Sequence, residues 1–120
     1  MKIPGPDHPI TIVPYRGIVR VRSGPADIAR SGRALALREA SYPTVYYVPR
    51  DDVRMDAFRR SDTVTHCPYK GDAAHYSLAD DGREVENAAW SYEEPYEAVS
   101  AIGDCLAFYA GKVEISVEPE

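Results

Sequence analysis

Apolar and polar residues alternate along much of this chain, which is typical of β-strands with one buried face. The clearest alternation lies at residues 18–22, where Val19 and Val21 fall on one side and Arg20 and Arg22 on the other. Successive side chains of a strand point to opposite faces, so the valines are predicted to face the core.

Residues 33–40 satisfy the helix pattern and the strand pattern at once. Their Ala, Leu, Arg and Glu residues favour a helix, whereas the two-residue spacing of Leu35 and Leu37 favours a strand. Pro43 would limit a helix here to about six residues, and such short helices are weak alone, so we predict a strand. Residues 44–48 are β-branched and aromatic and give the firmest strand prediction.

A helix is predicted in the middle of the chain. Asp51 or Asp52 can cap a helix that runs through about Arg60, with an apolar stripe beginning at Val53. One further helical turn is predicted for residues 97–103.

The other predicted strands are short and separated by Gly, Asp and Lys-rich turns. They lie at residues 27–30, 63–66, 73–78, 85–92, 106–109 and 113–117. About eight strands with one or two short helices predict a mainly β, antiparallel domain. Residues 1–9 contain three prolines and are expected to form a flexible or surface-clinging arm, which leaves residues 10–118 as a single domain.

Length and charge exclude several functions. A chain of 120 residues makes one domain, and its net charge of −5 gives no basic footprint for nucleic acid. The charge is uneven, since residues 1–60 hold 11 Lys or Arg against 6 Asp or Glu, and residues 61–120 hold 3 against 13. No apolar run is long enough to span a membrane and no secretion signal is visible, so we expect a soluble, cytoplasmic protein.

Cys67 and Lys70 form one candidate catalytic pair. A nearby positive charge turns a thiol into a nucleophile, and Lys70 follows Cys67 by three residues across a proline turn. In that case His75 or Tyr76 would move protons. The alternative is that Cys67 is a small buried hydrophobic residue and Lys70 an exposed turn lysine. The cysteines form no Cys-x-x-Cys pair, so neither a zinc site nor another cofactor is predicted.

Aromatic residues supply the second candidate site. Tyr42, Tyr46, Tyr76, Trp90 and Tyr92 fall at same-face positions within their own segments. Tyr42 shares a face with Tyr46, Tyr76 with Leu78, and Trp90 with Tyr92. If those faces converge, they form a cleft with flat walls that suits planar or cationic ligands. The alternative is that these rings only fill a small β core.

Seven short runs give the chain a resemblance to a known family. It resembles the bacterial and fungal domain-of-unknown-function family 427, sometimes labelled nucleotidyltransferase-like, over about residues 8–117. The Cys-Pro-Tyr-Lys-Gly-Asp-Ala run, followed later by Trp-x-Tyr, is the most specific part. The matching runs are residues 8–10, 33–35, 39–43, 47–53, 67–73, 89–92 and 106–109.

The resemblance implies a small β-tent-like fold, in which two antiparallel sheets meet at an angle. It also implies a ligand cleft between the sheets, which by analogy would be lined by Tyr42, Tyr46, Cys67, Lys70, Tyr76, Trp90 and Tyr92. The zinc of related β-tent domains needs two cysteine pairs that are missing here. Nucleotidyl transfer needs clustered carboxylates and a phosphate-binding loop, and neither is visible, so we do not expect that activity.

Three functions remain open at this point. The leading hypothesis is a domain that binds an unknown small molecule in the aromatic cleft, with or without catalysis. The second is an enzyme with Cys67 as its nucleophile, and the third is a non-catalytic module that docks on a partner through a sheet edge. The sequence does not decide the oligomeric state.

Overall fold

The computed structural model describes residues 1–120 as ten strands and three short 3-10 helices, so the predicted mainly β, antiparallel fold class is confirmed. None of the helical segments is long and apolar enough to cross a membrane. The strands are β1 (Ile10–Pro14), β2 (Gly17–Ser23), β3 (Ala26–Ser31), β4 (Leu35–Glu39), β5 (Val45–Tyr47), β6 (Phe58–Cys67), β7 (Gly71–Asp80), β8 (Arg83–Ser91), β9 (Ala107–Phe108) and β10 (Glu114–Pro119). The 3-10 helices span Arg50–Asp52, Met55–Ala57 and Glu97–Ile102.

Hydrogen bonding divides the strands among three antiparallel sheets. Their strand orders are β1-β4-β5, β10-β2-β3 and β6-β7-β8-β9. Val48 and Leu106 exchange two backbone hydrogen bonds of 2.8 Å and thereby connect the end of β5 to the start of β9. This bridge joins the first sheet to the four-stranded sheet along one edge.

The helix predicted from Asp51 to Arg60 does not form. Two separate 3-10 helices form in place of its first half, and neither has a side-chain hydrogen bond that caps its N-terminus. Its second half begins β6, where Phe58 pairs with Leu78 and Arg60 with Tyr76. Cross-strand pairing and packing outweigh the weak propensity of a short isolated helix.

The ambiguous segment at residues 33–40 is confirmed as a strand. Leu35–Glu39 forms β4, which lies between β1 and β5 and pairs with both. Strand β1 itself was not predicted, although the chain from Ile10 to Val13 is almost entirely β-branched.

The four-stranded sheet is covered by apolar residues on both faces. On β7, Ala74, Tyr76 and Leu78 belong to one core, which also contains Val19 and Val21 of β2. A second core lies on the other face and contains Leu37, Tyr47, Ala73, Tyr92, Val99, Ile102, Cys105 and Ala107. Because both faces are covered, β7 is buried along nearly its whole length instead of at alternate positions.

The N-terminal segment lies against the connection between β6 and β7. The Lys2 amide donates to the Pro68 carbonyl at 2.8 Å, and the His8 ring stacks on Tyr69 with 4.0 Å between ring centroids. The Ala40 amide also donates to the Pro9 carbonyl at 2.8 Å. These contacts bring the arm next to the site described below.

Candidate functional site

An aromatic cluster surrounds a cavity of about 430 Å³, here called the outer cavity. It includes three of the five aromatic residues predicted for the site, which are Tyr42, Tyr46 and Trp90. Tyr42 lies at the rim and is 65% exposed, whereas Trp90 is half-buried. Eight of the ten lining residues are hydrophobic, and the full set is Tyr42, Pro43, Thr44, Val45, Tyr46, Trp90, Phe108, Tyr109, Ala110 and Ile115.

A smaller and more polar space of about 230 Å³, the inner cavity, adjoins the same residues. It includes Lys70 and Tyr92, both predicted for the site, together with Trp90. Its lining residues are Leu37, Glu39, Val45, Tyr47, Thr65, Lys70, Trp90, Tyr92 and Tyr109. Three residues, Val45, Trp90 and Tyr109, line both cavities and therefore form their boundary.

Trp90 is held in place by contacts to two tyrosines. Its Nε1–H donates to Tyr47 Oη at 3.3 Å, and the two rings are perpendicular, with 6.4 Å between centroids. The Tyr109 ring lies 4.5 Å from the Trp90 ring on the boundary. Edge-to-face and tilted ring pairs are favourable geometries, so the indole is oriented before any ligand arrives.

Tyr76 is separated from the other predicted aromatic residues. It pairs across the sheet with Ala89 and faces the first core, whereas Trp90 and Tyr92 pack with the second core on the opposite face. The hydroxyl of Tyr76 donates to Glu93, which also accepts from Arg60 at 2.6 Å and from Arg50 at 3.4 Å. Alternate residues of one strand share a face, but that rule does not say which of the two faces of the sheet it is. The ring of Tyr76 therefore lies on a different face from those of Trp90 and Tyr92.

Lys70 is buried at the inner cavity instead of being exposed in a turn. It is 7% exposed, and its Nζ donates to Glu39 Oε1. Gly71 has a φ of +107°, a conformation that favours glycine, so the chain can reverse immediately after Lys70. The Lys70 ammonium also lies 5.9 Å from the centroid of the Tyr92 ring.

Glu39 accepts from two basic side chains. Besides Lys70, the His8 ring lies with Nε2 at 2.7 Å from Glu39 Oε2. Burial alone would raise the pKa of Glu39, but the hydrogen bonds and charges of Lys70 and His8 outweigh it and hold that pKa below its usual value. The carboxylate is therefore ionised at neutral pH and compensates the charge of Lys70.

Cys67 lies at the end of β6, half-buried, and packs against the second core. The ammonium of Lys70 is hydrogen-bonded to Glu39, and Cys67 is not among the residues that line either cavity. Cys105 is a second free cysteine and is buried. Catalysis by Cys67 stays a prediction.

No group of three or more His, Cys, Asp or Glu side chains is arranged to share a metal ion.

Three tyrosines, Tyr47, Tyr92 and Tyr109, line the inner cavity and keep protonated hydroxyls at neutral pH. Burial is the main cause that raises the pKa of Tyr47, Tyr92 and Tyr109 above the ordinary value of 10.0. At neutral pH these groups therefore remain hydrogen-bond donors. The polar groups of the inner cavity are therefore the Lys70–Glu39 ion pair, which has no net charge, and several uncharged hydroxyls.

The sequence reasoning did not assign Tyr47, Tyr109, Glu39 or His8 to the site. Tyr47 could have been found from the alternation in β5, because it and Val45 share a face that Tyr46 does not. Nothing local marks Glu39, whose partners lie 31 residues away in both directions along the chain.

Comparison with known proteins identifies the family and leaves its activity open. A family model described as "Domain of unknown function (DUF427)" matches residues 11–119. Among curated proteins, no significant match is found. Because the model spans nearly the whole domain, including both cavities and the strands around them, the chain belongs to the DUF427 family.

Proposed function

We propose that this protein binds a small planar or cationic molecule in the outer cavity. The observation that carries the proposal is the convergence of Tyr42 and Tyr46, which lie in one stretch of chain, with Trp90 of β8 around one largely apolar space of about 430 Å³. Pockets that hold small ligands have volumes of roughly 300–1,000 Å³ and mostly apolar walls with a few polar groups.

The rings provide the main attraction in this proposal. A planar ligand can stack on the indole of Trp90 and cover the exposed ring of Tyr42, which removes apolar surface from water. A cation can instead rest over a ring face, where the aromatic quadrupole attracts it. The edge formed by Val45, Trp90 and Tyr109 leads toward polar groups of the inner cavity, which would select among planar ligands.

A fragment screen by thermal shift tests this proposal. A fragment present at ten times its Kd stabilises the native state by about 1.4 kcal/mol, which raises the Tm by about 5 °C. Hits should shift the wild type more than Trp90→Ala or Tyr42→Ala. The screen is run under reducing conditions because both cysteines are free thiols, which agrees with a reducing compartment such as the cytoplasm.

Two variants keep the outcome interpretable. Tyr42→Ala removes a ring that is 65% exposed, so the fold should survive even if Trp90→Ala unfolds the protein. Tyr96→Ala is the matched control, because Tyr96 is half-buried and lies outside both cavities. If no planar or cationic fragment stabilises the wild type, or if hits stabilise Tyr42→Ala and wild type equally, the proposal is wrong.

A further inference from the structure

His75 is the most unusual polar residue of the aromatic cluster. It is 3% exposed and lies beside Trp90 on the sheet face that carries the second core. Its Nε2 is 2.9 Å from Tyr109 Oη, and the two rings are stacked with 5.9 Å between centroids. Its other ring nitrogen, Nδ1, is fully buried and has no hydrogen-bond partner in the protein.

The unpartnered nitrogen determines which tautomer is favoured. A neutral imidazole has one N–H donor and one acceptor nitrogen. A buried N–H without an acceptor is rarer and more costly than an unused lone pair, so the hydrogen belongs on Nε2. His75 Nε2–H then donates to Tyr109 Oη, and the proton of Tyr109 itself is left for another acceptor.

Tyr47 is in the same situation on the inner side of the boundary. Its Oη accepts a hydrogen bond from Trp90 Nε1 at 3.3 Å. With the hydrogen of His75 on Nε2, neither tyrosine hydroxyl donates to another protein group, and both residues line the inner cavity. Tyr47 is only 1% exposed, whereas Tyr109 is 36% exposed, so Tyr109 is the hydroxyl that a ligand can reach. Their pKa values are raised by burial, so both remain donors over the physiological range.

The charge of the cavity limits what these donors accept. Lys70 is compensated by Glu39, and each of these side chains is at most 14% exposed. An added carboxylate would stand near Glu39 in a poorly solvated space, where like charges repel strongly. A neutral acceptor avoids this repulsion and still accepts a hydrogen bond from the Tyr109 hydroxyl.

We infer that the bound molecule is a planar compound with a neutral hydrogen-bond acceptor, a ring nitrogen or a carbonyl oxygen, directed at the hydroxyl of Tyr109. This inference rests on the proposed function and adds the chemical class of the ligand. Tyr109 is the main anchor because it borders both cavities, and His75 is a positioning residue that orients the Tyr109 hydroxyl.

Three bicyclic probes of similar size test the ligand class. Quinoline offers a ring nitrogen as acceptor, indole offers only an N–H donor, and 2-naphthoate carries a carboxylate. Each is titrated into the ¹⁵N-labelled protein while the amide resonances of the cavity residues are followed. One hydrogen bond corresponds to a preference of roughly five- to tenfold, so quinoline should bind the wild type that much more tightly than indole. The 2-naphthoate probe should bind more weakly than quinoline.

Tyr109→Phe keeps the ring and removes the hydroxyl, and it should abolish the preference for quinoline over indole. Tyr15→Phe is the matched control, because the Tyr15 hydroxyl is buried without a partner and lies outside both cavities. That variant should keep the full preference. The ¹⁵N shifts of the His75 ring give a readout independent of any probe and should show the hydrogen on Nε2.

The outcomes separate this inference from the proposed function. Equal binding of quinoline and indole at the cavity would overturn the inference and leave the proposed function standing. Tightest binding of 2-naphthoate, or a hydrogen on His75 Nδ1, would also overturn the inference alone. If none of the probes moves the cavity resonances, the inference is wrong, whereas the proposed function is decided by the fragment screen described above.

Discussion

Glu39 and Glu93 are two carboxylates that each accept from two basic side chains, but in different surroundings. Glu39 is 14% exposed and pairs with Lys70, which is 9% exposed at the side chain. Glu93 is 28% exposed, and its partners Arg50 and Arg60 are 26% and 56% exposed. Glu39 lines the inner cavity, whereas Glu93 is hydrogen-bonded to Tyr76, which faces the other core.

The difference shows that burial, and not the number of partners, decides what such a cluster contributes. Solvent screens the pairs around Glu93, so their removal should cost little. Around Glu39, loss of Lys70 leaves a poorly solvated carboxylate with His8 as its one remaining partner, which compensates its charge less well. The buried pair also sets the polarity of the inner cavity, so it affects stability and ligand choice together.

The largest effect is expected for Lys70→Met. This change leaves the Glu39 carboxylate with His8 alone and should lower the free energy of unfolding by about 3 kcal/mol or more. Urea denaturation followed by circular dichroism measures the loss. The double variant Lys70→Met/Glu39→Gln, which removes both charges, should recover a large part of it. A loss below about 1 kcal/mol in the single variant would contradict the comparison, since that is the value of an exposed pair.

A smaller effect is expected for Glu93→Gln. Its main ion pair is with Arg60, which is more than half exposed, so the same measurement should show a loss of about 1 kcal/mol. The neutral amide can still accept from Tyr76 and Arg50. If this variant loses as much as Lys70→Met, the two clusters are energetically equivalent and the contrast drawn from burial is wrong.

The smallest effect is a difference in acid sensitivity. The pKa of Glu39 in the folded protein is lowered below its ordinary value of 4.5, so ionised Glu39 stabilises the fold above that pH. This contribution is lost as the pH falls through the lowered pKa, where the folded state finally takes up the proton. We expect Glu39→Gln to make the stability curve flatter than wild type below pH ~4.5. An identical acid slope in both proteins would contradict this assignment.

Local pattern predicted most of the strands because alternation and β-branching act over a few residues. Residues 18–22 and 73–78 lie inside β2 and β7, and the ambiguous segment 33–40 became β4. The prediction of a helix after Asp51 was wrong because a long-range interaction, which local pattern does not contain, decided the structure there. Its residues have acceptable helix propensity, but pairing of Phe58–Arg60 with β7 is a long-range gain that propensity does not contain.

The relative positions of some candidate-site residues were also predictable, although their role in binding stays a prediction. Tyr42, Tyr46 and Trp90 were expected to share a surface, and the structure places them around one cavity. Tyr76 was expected there too and lies on the opposite face of the four-stranded sheet. The alternation of side chains along a strand shows which residues share a face. In a sheet that is covered on both sides, it does not show which of the two faces they share.

The sequence by itself determined the class of fold and the family, since both depend on short-range patterns and on runs such as Cys67–Ala73. Only the tertiary structure decided the surroundings of Lys70 and the partners of Tyr109. Glu39 contacts Lys70 and His8, each 31 residues away, and His75 contacts Tyr109, 34 residues away. Such contacts arise from the register and packing of whole sheets, which no local pattern encodes.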